Sequence, residues 1–509
     1  MEPANRSLWI ETTPETAYPA LEGQVEVDVV VVGAGITGVT TAWLLKRKGR
    51  RVALVDMLHV GGGATGYTTA KLTVGHNLIY ADLAREHGEE TARAYAASNQ
   101  WAIEQLDDLV SGEAITCDWE RASNYVYTED ESRLSDLREE LEAARRAGVS
   151  AELTTDTDLP FPVFGAIRVD NQAQFHPLKF LQGLAEKIVG EDSHVFEQTR
   201  VHDVSSGDRC EVLTEHGTLR AAHVVLATHL PFLDRGLFFA KAHPQKSYAI
   251  AAQIEQAQAP LGMYINAEQP TRSIRSTPGP NGSRFLVLGG EGHRPGRDDD
   301  TRRRYEALEA FLSDRFDSGE VEHRWSTHDY VPLDRLPYIG RLLRRDERLL
   351  IATGFAKWGL TKGVVAAAIL ADAILGRVNP WARVYDANRL SLKSSTARKF
   401  LIENAKVGSW FIGDRIRLRD DQDDIDALEP GDGTVAWIGG HHVAVHRDEN
   451  GQLHALSARC THLGCLVGWN QADQTWECPC HGSQFRADGA LLQGPATDPL
   501  SRLNLPGAA

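Results

Sequence analysis

The sequence has no apolar run long enough to cross a membrane. A membrane-spanning helix needs roughly 20 mostly apolar residues, and the best candidate, VVAAAILADAILG from Val364, is shorter and contains Asp372. The amino terminus also lacks the basic and apolar segments of a secretory signal. We therefore expect a cytoplasmic protein without a membrane span.

Basic residues and cysteines are also few. Lys and Arg number 54 against 70 Asp and Glu, which gives a net charge of −16. This balance disfavours nucleic acid and anionic membranes as partners. Of the six cysteines, four lie between Cys460 and Cys480. A disulfide framework over the whole chain is therefore excluded, and a local cysteine site is indicated.

The run DVVVVGAGITG from Asp28 predicts a strand, a glycine-rich turn and a helix. The β-branched residues 27–32 are typical of a buried parallel strand, and the helix is predicted to end at Gly49. A second strand, RVALVD, ends at the acidic residue Asp56. Together these elements predict one βαβ unit.

The glycine spacing in this unit is that of a dinucleotide site. Gly33 permits a tight turn, Gly35 lets a pyrophosphate approach the backbone, and Gly38 lets helix and strand pack closely. Phosphates are attracted to the helix amino terminus. An acid at Asp56 suits a ribose hydroxyl and argues against a 2′-phosphate, which leaves FAD or NAD; a βαβ turn without a ligand is the alternative. The predicted cofactor contacts are Gly33, Gly35, Ile36, Thr37, Gly38 and Asp56.

The rest of the chain divides into an α/β (α+β) part and a small all-β part. Helices are predicted at about 129–147, from Pro177 and at about 301–316, and strands at 223–229 and 284–290. Short alternating runs punctuated by glycine predict a β domain over 431–507. Between them, residues 379–430 read as a linker with some helix around 397–405 and an acidic run around 420–433.

The stretch GGGATGYTTAKLT, at 61–73, resembles the small-residue segment of flavoenzymes of the D-amino-acid oxidase and glycine oxidase family. The resemblance continues at HPLKFLQGLA, HVVLATHLPF, LPYIGRL and LLIATGFAKWGLTKGVVAAAIL. It implies an FAD-dependent oxidoreductase domain over 25–378. Within that domain it implies a Rossmann-type FAD-binding part at about 25–110, 200–232 and 326–378, and an interleaved substrate subdomain at about 111–199 and 233–325.

The same resemblance implies further flavin contacts at Thr65, Thr69, Gly354, Gly359, Leu360 and Thr361. The family usually has an arginine or tyrosine that binds a substrate carboxylate, and no motif here identifies such a residue, so the catalytic residues are unknown. No second GxGxxG opens a helix, so a dedicated NAD(P)H domain like that of pyridine-nucleotide reductases is not expected. By position, the candidates in the flavin pocket are Lys71, His76, His176, Lys357 and Trp358, although packing or surface roles are equally open to them.

The carboxy-terminal motif is CTHLGC at 460–465 followed by CPCHGS at 478–483. Two cysteines and two histidines suit tetrahedral zinc, but zinc leaves two cysteines unused. The pattern resembles the Rieske iron–sulfur domain of cytochrome bc complexes. That resemblance implies a 2Fe-2S cluster with Cys460 and Cys478 on one iron and His462 and His481 on the other, which raises the reduction potential relative to all-cysteine clusters. It also implies a disulfide between Cys465 and Cys480.

Residues around the motif follow the Rieske resemblance with one departure. Ser483 matches the serine that donates to a cluster sulfur, and the sequence GPA at 494–496 matches the proline loop that covers the cluster. Phe485 stands where the family has a tyrosine. Because one hydrogen bond to sulfur is then missing, we expect a reduction potential below that of the respiratory proteins.

The two cofactor sites together predict an FAD-dependent oxidoreductase that oxidises a small amine or amino acid. Electrons would pass from reduced flavin to the cluster and then to an external acceptor. A reductase fed through the cluster by an external donor is one alternative, and a redox-sensing electron-transfer protein is another. A Rieske oxygenase is the weakest alternative, because no mononuclear-iron motif is visible.

Overall fold

A computed structural model describes residues 5–298, 300–389, 394–416 and 425–503. Within these ranges no helix is both long and apolar enough to cross a bilayer. The α-helices are Leu8–Glu11, Ile36–Lys46, Tyr80–His87, Glu89–Gly112, Leu134–Arg146, Pro177–Glu186, Phe238–Lys241, Arg302–Arg315, Gly359–Ile374, Ala382–Tyr385 and Ser394–Ile416. Short 3-10 turns lie at Ala64–Tyr67, Glu131–Arg133 and Pro280–Gly282.

The first domain is built on a mainly parallel sheet. Its first two strands along the chain, Val29–Val32 and Val52–Val55, are buried along their whole length. The helix Ile36–Lys46 packs on one face of these strands, and a small sheet packs on the other. The strand predicted at 27–32 is two residues shorter, since Val27 instead donates its N–H to Arg220 of a separate sheet. In order across the sheet, the strands are Tyr338–Arg341, Leu349–Thr353, His223–Leu226, Val29–Val32, Val52–Val55 and His194–Phe196.

The small sheet packs on one face of the parallel sheet, and the first domain also contains a large mixed sheet. The small sheet contains Gly23–Glu26, Gly217–Ala221, Cys210–Thr214 and Val201–Ser206. The large sheet contains, in order, Val321–Pro332, Ala242–Ile254, Arg284–His293, Ser273–Pro278, Met263–Asn266, Glu120–Thr128, Gly165–Gln174 and Lys71–Leu72, with Ala151–Thr154 beside Gly165–Gln174.

The segment predicted as a linker is partly built into the first domain. Tyr385 is 1% exposed in the core, and Arg389 binds both carboxylate oxygens of Asp334 at 2.8 Å. The helix expected around 397–405 extends over Ser394–Ile416. Much of the acidic run lies outside the described residues.

The carboxy-terminal domain is all-β, as its alternating sequence predicts, and consists of two antiparallel sheets. Its hydrophobic core includes Trp476 and Phe485, neither of which is exposed. The strands are Gly433–Ile438, His441–Arg447 and Leu453–Ser457 in one sheet, and Gly468–Asn470, Thr475–Glu477, Gln484–Arg486 and Leu491–Gln493 in the other.

A buried ion cluster joins the two domains. Lys246 of the large sheet is not exposed, and its ammonium lies 2.7 Å from Asp473 and also contacts Glu477. Both carboxylates belong to the carboxy-terminal domain and are almost fully buried. Because an unpaired buried charge is very costly, this cluster is stable only while the domains remain in contact.

Candidate functional site: a cavity shared with a cysteine and histidine centre

A cavity of about 750 Å³ is lined by residues of the parallel sheet, the large sheet and the carboxy-terminal domain. Its volume is in the range of ligand and cofactor cavities, roughly 300–1,000 Å³. Most of the predicted cofactor contacts lie on its wall, namely Gly33, Gly35, Ile36, Thr37, Asp56, Thr65, Thr69, Gly359 and Leu360.

Glycine is required at two positions of the turn that opens the first long helix. Gly33 has φ +105°, and a Cβ atom there would lie 2.5 Å from the carbonyl oxygen of Ala227. A Cβ atom on Gly38 would collide with the carbonyl oxygen of Gly33. The first glycine therefore permits the turn, and the second permits the helix to pack closely against it.

Asp56 follows the strand Val52–Val55 and faces the cavity. Burial raises the pKa of its carboxyl, while backbone hydrogen bonds from Ala34 and Leu58, at 2.6 and 2.8 Å, act in the opposite direction. Its carboxylate is thus fixed at the end of a strand, which suits binding of a ribose hydroxyl.

Three predicted contacts are not part of the cavity lining. Gly38 packs behind the turn, as described above. Gly354 has φ +76°, and a Cβ atom there would lie 2.6 Å from Pro332, so glycine is needed for the loop itself. The hydroxyl of Thr361 lies 3.5 Å from Nε2 of His76.

Lys71, Lys357 and Trp358 line the cavity. Burial, together with the charge of Arg275, lowers the pKa of Lys71 to about 7. Lys357 is exposed, and its ammonium donates to the Ser247 hydroxyl at 2.8 Å. Lys71 is therefore the buried amine of the cavity wall whose charge changes near neutral pH.

His76 and His176 have structural contacts outside the cavity. Nδ1 of His76 lies 2.6 Å from the Tyr95 hydroxyl, and its ring stacks on Trp358 with centroids 4.4 Å apart. Nδ1 of His176 accepts the N–H of Lys179 at 3.3 Å and so caps the helix Pro177–Glu186. Burial lowers the pKa of His176 to about 4, so the ring is neutral at physiological pH.

The cysteine and histidine residues of the carboxy-terminal motif lie together. Cys465 and Cys480 form a disulfide with Cα atoms 6.5 Å apart, as predicted. Cys460 and Cys478 are buried free thiols. The Cys478 sulfur lies within 4.8 Å of both disulfide sulfurs, but a disulfide offers no thiolate to a metal. Cys460 and Cys478 are therefore the cysteine donors available.

His462 and His481 complete this donor set. Their rings are 5.0 Å apart, and within the described part of the chain neither Nδ1 atom has a hydrogen-bond partner although both atoms are buried. Burial lowers the pKa of His481 to about 3, which keeps the imidazole in the neutral form that binds metal. Two thiols and two unpartnered imidazole nitrogens fit a 2Fe-2S cluster with mixed ligation.

Ser483 connects the ligand loop to the segment that covers it. Its hydroxyl accepts the N–H of Ala496 at 3.0 Å. Phe485 has no hydroxyl and packs in the domain core at 0% exposure. The hydrogen bond that a tyrosine would supply at this position is therefore absent.

Several contacts between the cavity and this centre involve residues that the sequence did not single out. Tyr330 donates its hydroxyl to the carbonyl of His481 at 2.9 Å, and Nε2 of Gln493 lies 2.6 Å from Nδ1 of His229. His229 has φ +66°, an uncommon backbone conformation for a residue other than glycine. The partners are separated by at least 151 positions, so no local sequence signal could have paired them.

Comparison with known proteins identifies the class. A family model described as FAD dependent oxidoreductase matches residues 28–373, and a model described as Rieske 2Fe-2S domain matches residues 421–504. The chain therefore belongs to the FAD-dependent oxidoreductase family and carries a Rieske domain at its carboxy-terminal side. FAD and a 2Fe-2S cluster are its cofactors.

Individual relatives agree with this two-part organisation. A Bacillus subtilis (strain 168) protein named as a Rieske 2Fe-2S iron-sulfur protein, YhfW, is 35% identical over 504 residues, which is 99% of this chain and 98% of that protein. The iron-sulfur subunit of the cytochrome b6-f complex of Arabidopsis thaliana is 47% identical over 60 residues, 12% of this chain and 25% of that protein. Glycine oxidase from Geobacillus kaustophilus has a similar fold, with a TM-score of 0.61, 17% identity and coverage of 72% of this chain and 100% of that one.

Proposed function

We propose that the protein oxidises a small amine or amino acid at a carbon–nitrogen bond and delivers the electrons singly to an external acceptor. Loss of two electrons and two protons from a C–H and an N–H bond would give the imine. When bound, FAD supplies the hydride chemistry and the cluster supplies one-electron transfer; the chain's own residues position and tune both. The cytoplasmic location stays a prediction.

The observation that supports this proposal is the shared wall between the two cofactor sites. The strand Val321–Pro332 contributes residues to the cavity, and Tyr330 on the same strand binds the carbonyl of His481. Both sites belong to one chain and share a boundary. Electron transfer between them therefore needs no encounter with a second molecule, and the effective concentration of the acceptor is high.

A series of hydrogen bonds crosses this boundary. Since the amide of Gln493 donates to Nδ1 of His229, the hydrogen of that ring resides on Nε2, which donates to Asp329 at 2.9 Å. The other oxygen of Asp329 accepts the N–H of Lys357 at 2.5 Å. The loop covering the cluster site is thus connected to the loop that precedes the helix Gly359–Ile374.

One buried lysine of the cavity, Lys71, favours a substrate with a carboxylate. Lys71 faces the cavity and is buried. The ammonium donates a hydrogen bond to the carbonyl of Tyr264 at 3.4 Å. A buried cation with a weak neutral partner would gain strongly from an anionic ligand. We propose Lys71 as the group that binds the substrate carboxylate.

The test is anaerobic addition of amines and amino acids to the oxidised holoprotein, with flavin absorbance and the electron-paramagnetic signal of the reduced cluster recorded together. We expect one compound to bleach the flavin first and the cluster signal to follow. If no compound bleaches the flavin while an external donor reduces both centres, the proposed direction is wrong and the reductase or sensor function is favoured.

A further inference from the structure

The first described residues of the chain pack on the loop that lines the cavity. The family match begins at residue 28, so this segment precedes the part that the FAD-dependent oxidoreductase model accounts for. Its short helix Leu8–Glu11 is nevertheless built into the protein core, with Leu8 at 2% and Trp9 at 0% exposure. A segment held this firmly has a structural role.

This segment also forms part of the cavity wall. The wall includes Asn5, Arg6, Ile10, Thr13, Pro14, Glu15 and Thr16. The small-residue loop, which is the first part of the segment at 61–73, lines the cavity next to them. It contributes Gly62, Gly63, Ala64, Thr65, Tyr67, Thr68 and Thr69. The two stretches meet, because a Cβ atom on Gly66 would lie 3.5 Å from the Cδ1 atom of Ile10.

The carbonyl groups of the small-residue loop are bound by side chains from elsewhere in the chain. Ser7 donates its hydroxyl to Gly66 at 2.5 Å, and the indole N–H of Trp9 donates to Thr68 at 2.7 Å. The carbonyl between them, that of Tyr67, accepts from Trp325 at 3.0 Å. The bond to Gly66 is buried and the other two are partly buried. Because a carbonyl left unpaired away from water is costly, these donors fix the path of the loop.

Asn5 connects the same segment to the Rieske domain. Its side-chain amide donates to the carbonyl of Ala472 at 2.8 Å and to Asp473 at 3.2 Å. Asp473 in turn pairs with the buried Lys246. The segment therefore spans from the domain contact to the small-residue loop.

We propose that residues 5–16 are an additional part of the FAD site, in which Ser7 and Trp9 are positioning residues that fix the small-residue loop and Asn5 ties the segment to the Rieske domain. FAD affinity should then depend on contacts outside the family domain. By reciprocity, FAD binding should strengthen the contact between the domains.

The experiment measures FAD dissociation from the full-length holoprotein by the fluorescence of FAD released on serial dilution. Trp9→Phe keeps the ring but removes the donor to Thr68, and we expect the FAD dissociation constant to rise roughly tenfold. Trp325 lies within the family domain and donates to the neighbouring carbonyl, that of Tyr67. Trp325→Phe removes this donor and should have an effect of similar size. Trp101→Phe makes the same chemical change beside Trp381, away from the cavity, and should leave FAD affinity within about twofold of wild type.

Ser7→Ala and Asn5→Ala provide smaller changes, should Trp9→Phe fail to fold. Each should raise the FAD dissociation constant by at least about threefold, while the electron-paramagnetic signal of the reduced cluster is unchanged. Wild-type FAD affinity in both of these variants would overturn the proposal. The experiment uses no substrate, so its outcome is independent of the proposed direction of electron flow.

Discussion

Nε2 of His462 donates a hydrogen bond to Oδ1 of Asp234 at 2.8 Å, so a carboxylate of the flavin domain binds a predicted ligand of the cluster. The imidazole is 4% exposed while Asp234 is 48% exposed. Phe239 packs against the rings of both His462 and His481, at 5.6 and 5.0 Å. The histidine side of the cluster site is therefore covered by the first domain.

Replacing Asp234 by Asn should raise the reduction potential of the cluster. A carboxylate that accepts from a ligating imidazole makes the ligand more basic and stabilises the oxidised, more positive cluster. We expect an increase of tens of millivolts, where about 59 mV is a tenfold change in a one-electron equilibrium. A redox titration followed by electron-paramagnetic resonance measures it. Asp203→Asn, which removes a carboxylate that is 56% exposed, should have little effect; equal shifts in both variants would contradict the prediction.

Replacing Lys246 by Met should destabilise the contact between the domains. The substitution leaves Asp473 and Glu477 buried without a counter-ion, which typically costs about 3–5 kcal/mol. Denaturant unfolding, monitored by the visible absorbance of the cluster, measures this loss. Lys406→Met is the control. It removes the ion pair between Glu403 and Lys406, whose side chain is 51% exposed, and should cost no more than about 1 kcal/mol.

The same ion cluster predicts how stability depends on pH. Burial alone would raise the pKa of Asp473, but the charge and hydrogen bond of Lys246 lower it. A lowered pKa stabilises the fold above the unfolded value, about 3.9, and this contribution is lost as the pH falls through the folded pKa. Burial alone would lower the pKa of Lys246, but both carboxylates raise it, so its contribution is lost only on alkalinisation above about 10.4.

Thermal unfolding should therefore show no pH dependence from this cluster between about pH 4 and pH 10. In Lys246→Met, Asp473 loses the charge and the hydrogen bond that lower its pKa while its burial still raises it, so that variant should gain stability on mild acidification. If Lys246→Met instead lost stability on mild acidification, the protonation of the buried carboxylates would not depend on Lys246, and the prediction would be wrong.

Lys71 predicts a pH dependence of substrate binding. Its pKa of about 7 means that the amine is charged below that pH, so affinity for a carboxylate substrate should fall as the pH rises through about 7. Lys71→Met should weaken binding roughly tenfold to a hundredfold at low pH. Lys71→Arg should keep binding and remove the pH step, because arginine stays charged. Steady-state KM against pH measures both, with the exposed Lys187→Met as control.

Removing the disulfide should weaken the cluster domain. The bond joins residues 15 positions apart, and a loop of that size typically contributes about 3 kcal/mol to stability. The double variant Cys465→Ala and Cys480→Ala should therefore lose its cluster signal at lower denaturant concentration. Cys210→Ala, which removes a buried thiol of the first domain, should leave that midpoint unchanged.

The family, the cofactors and the overall fold were predictable because their signals are local. The glycines after Asp28 and the cysteines and histidines after Cys460 each lie within a short stretch, and the comparisons confirm both domains. The individual ligand and cofactor contacts stay predictions. The Cys465–Cys480 disulfide was predictable from the Rieske resemblance alone.

Other features could not be predicted because tertiary contacts decide them. The pairing of Asp234 with His462 and of His229 with Gln493 joins residues more than 200 positions apart. Trp9 belongs to a helix of only four residues, and nothing in its neighbours indicates that it binds the carbonyl of Thr68. The boundary of the strand Val29–Val32 was wrong by two residues because Val27 is equally β-branched but pairs with a different sheet.

The cavity wall contains Asn5 and Thr16 near one end of the chain and also Leu491 and Thr497 of the Rieske domain. During translation the ribosome adds the amino-terminal residues of this wall early, and it adds Leu491 and Thr497 only when synthesis is nearly finished. The glycine-rich turn can fold early on the nascent chain, but the enclosure around it is incomplete until the final strands emerge. Assembly of this flavoprotein therefore ends, rather than begins, with closure of the cofactor chamber.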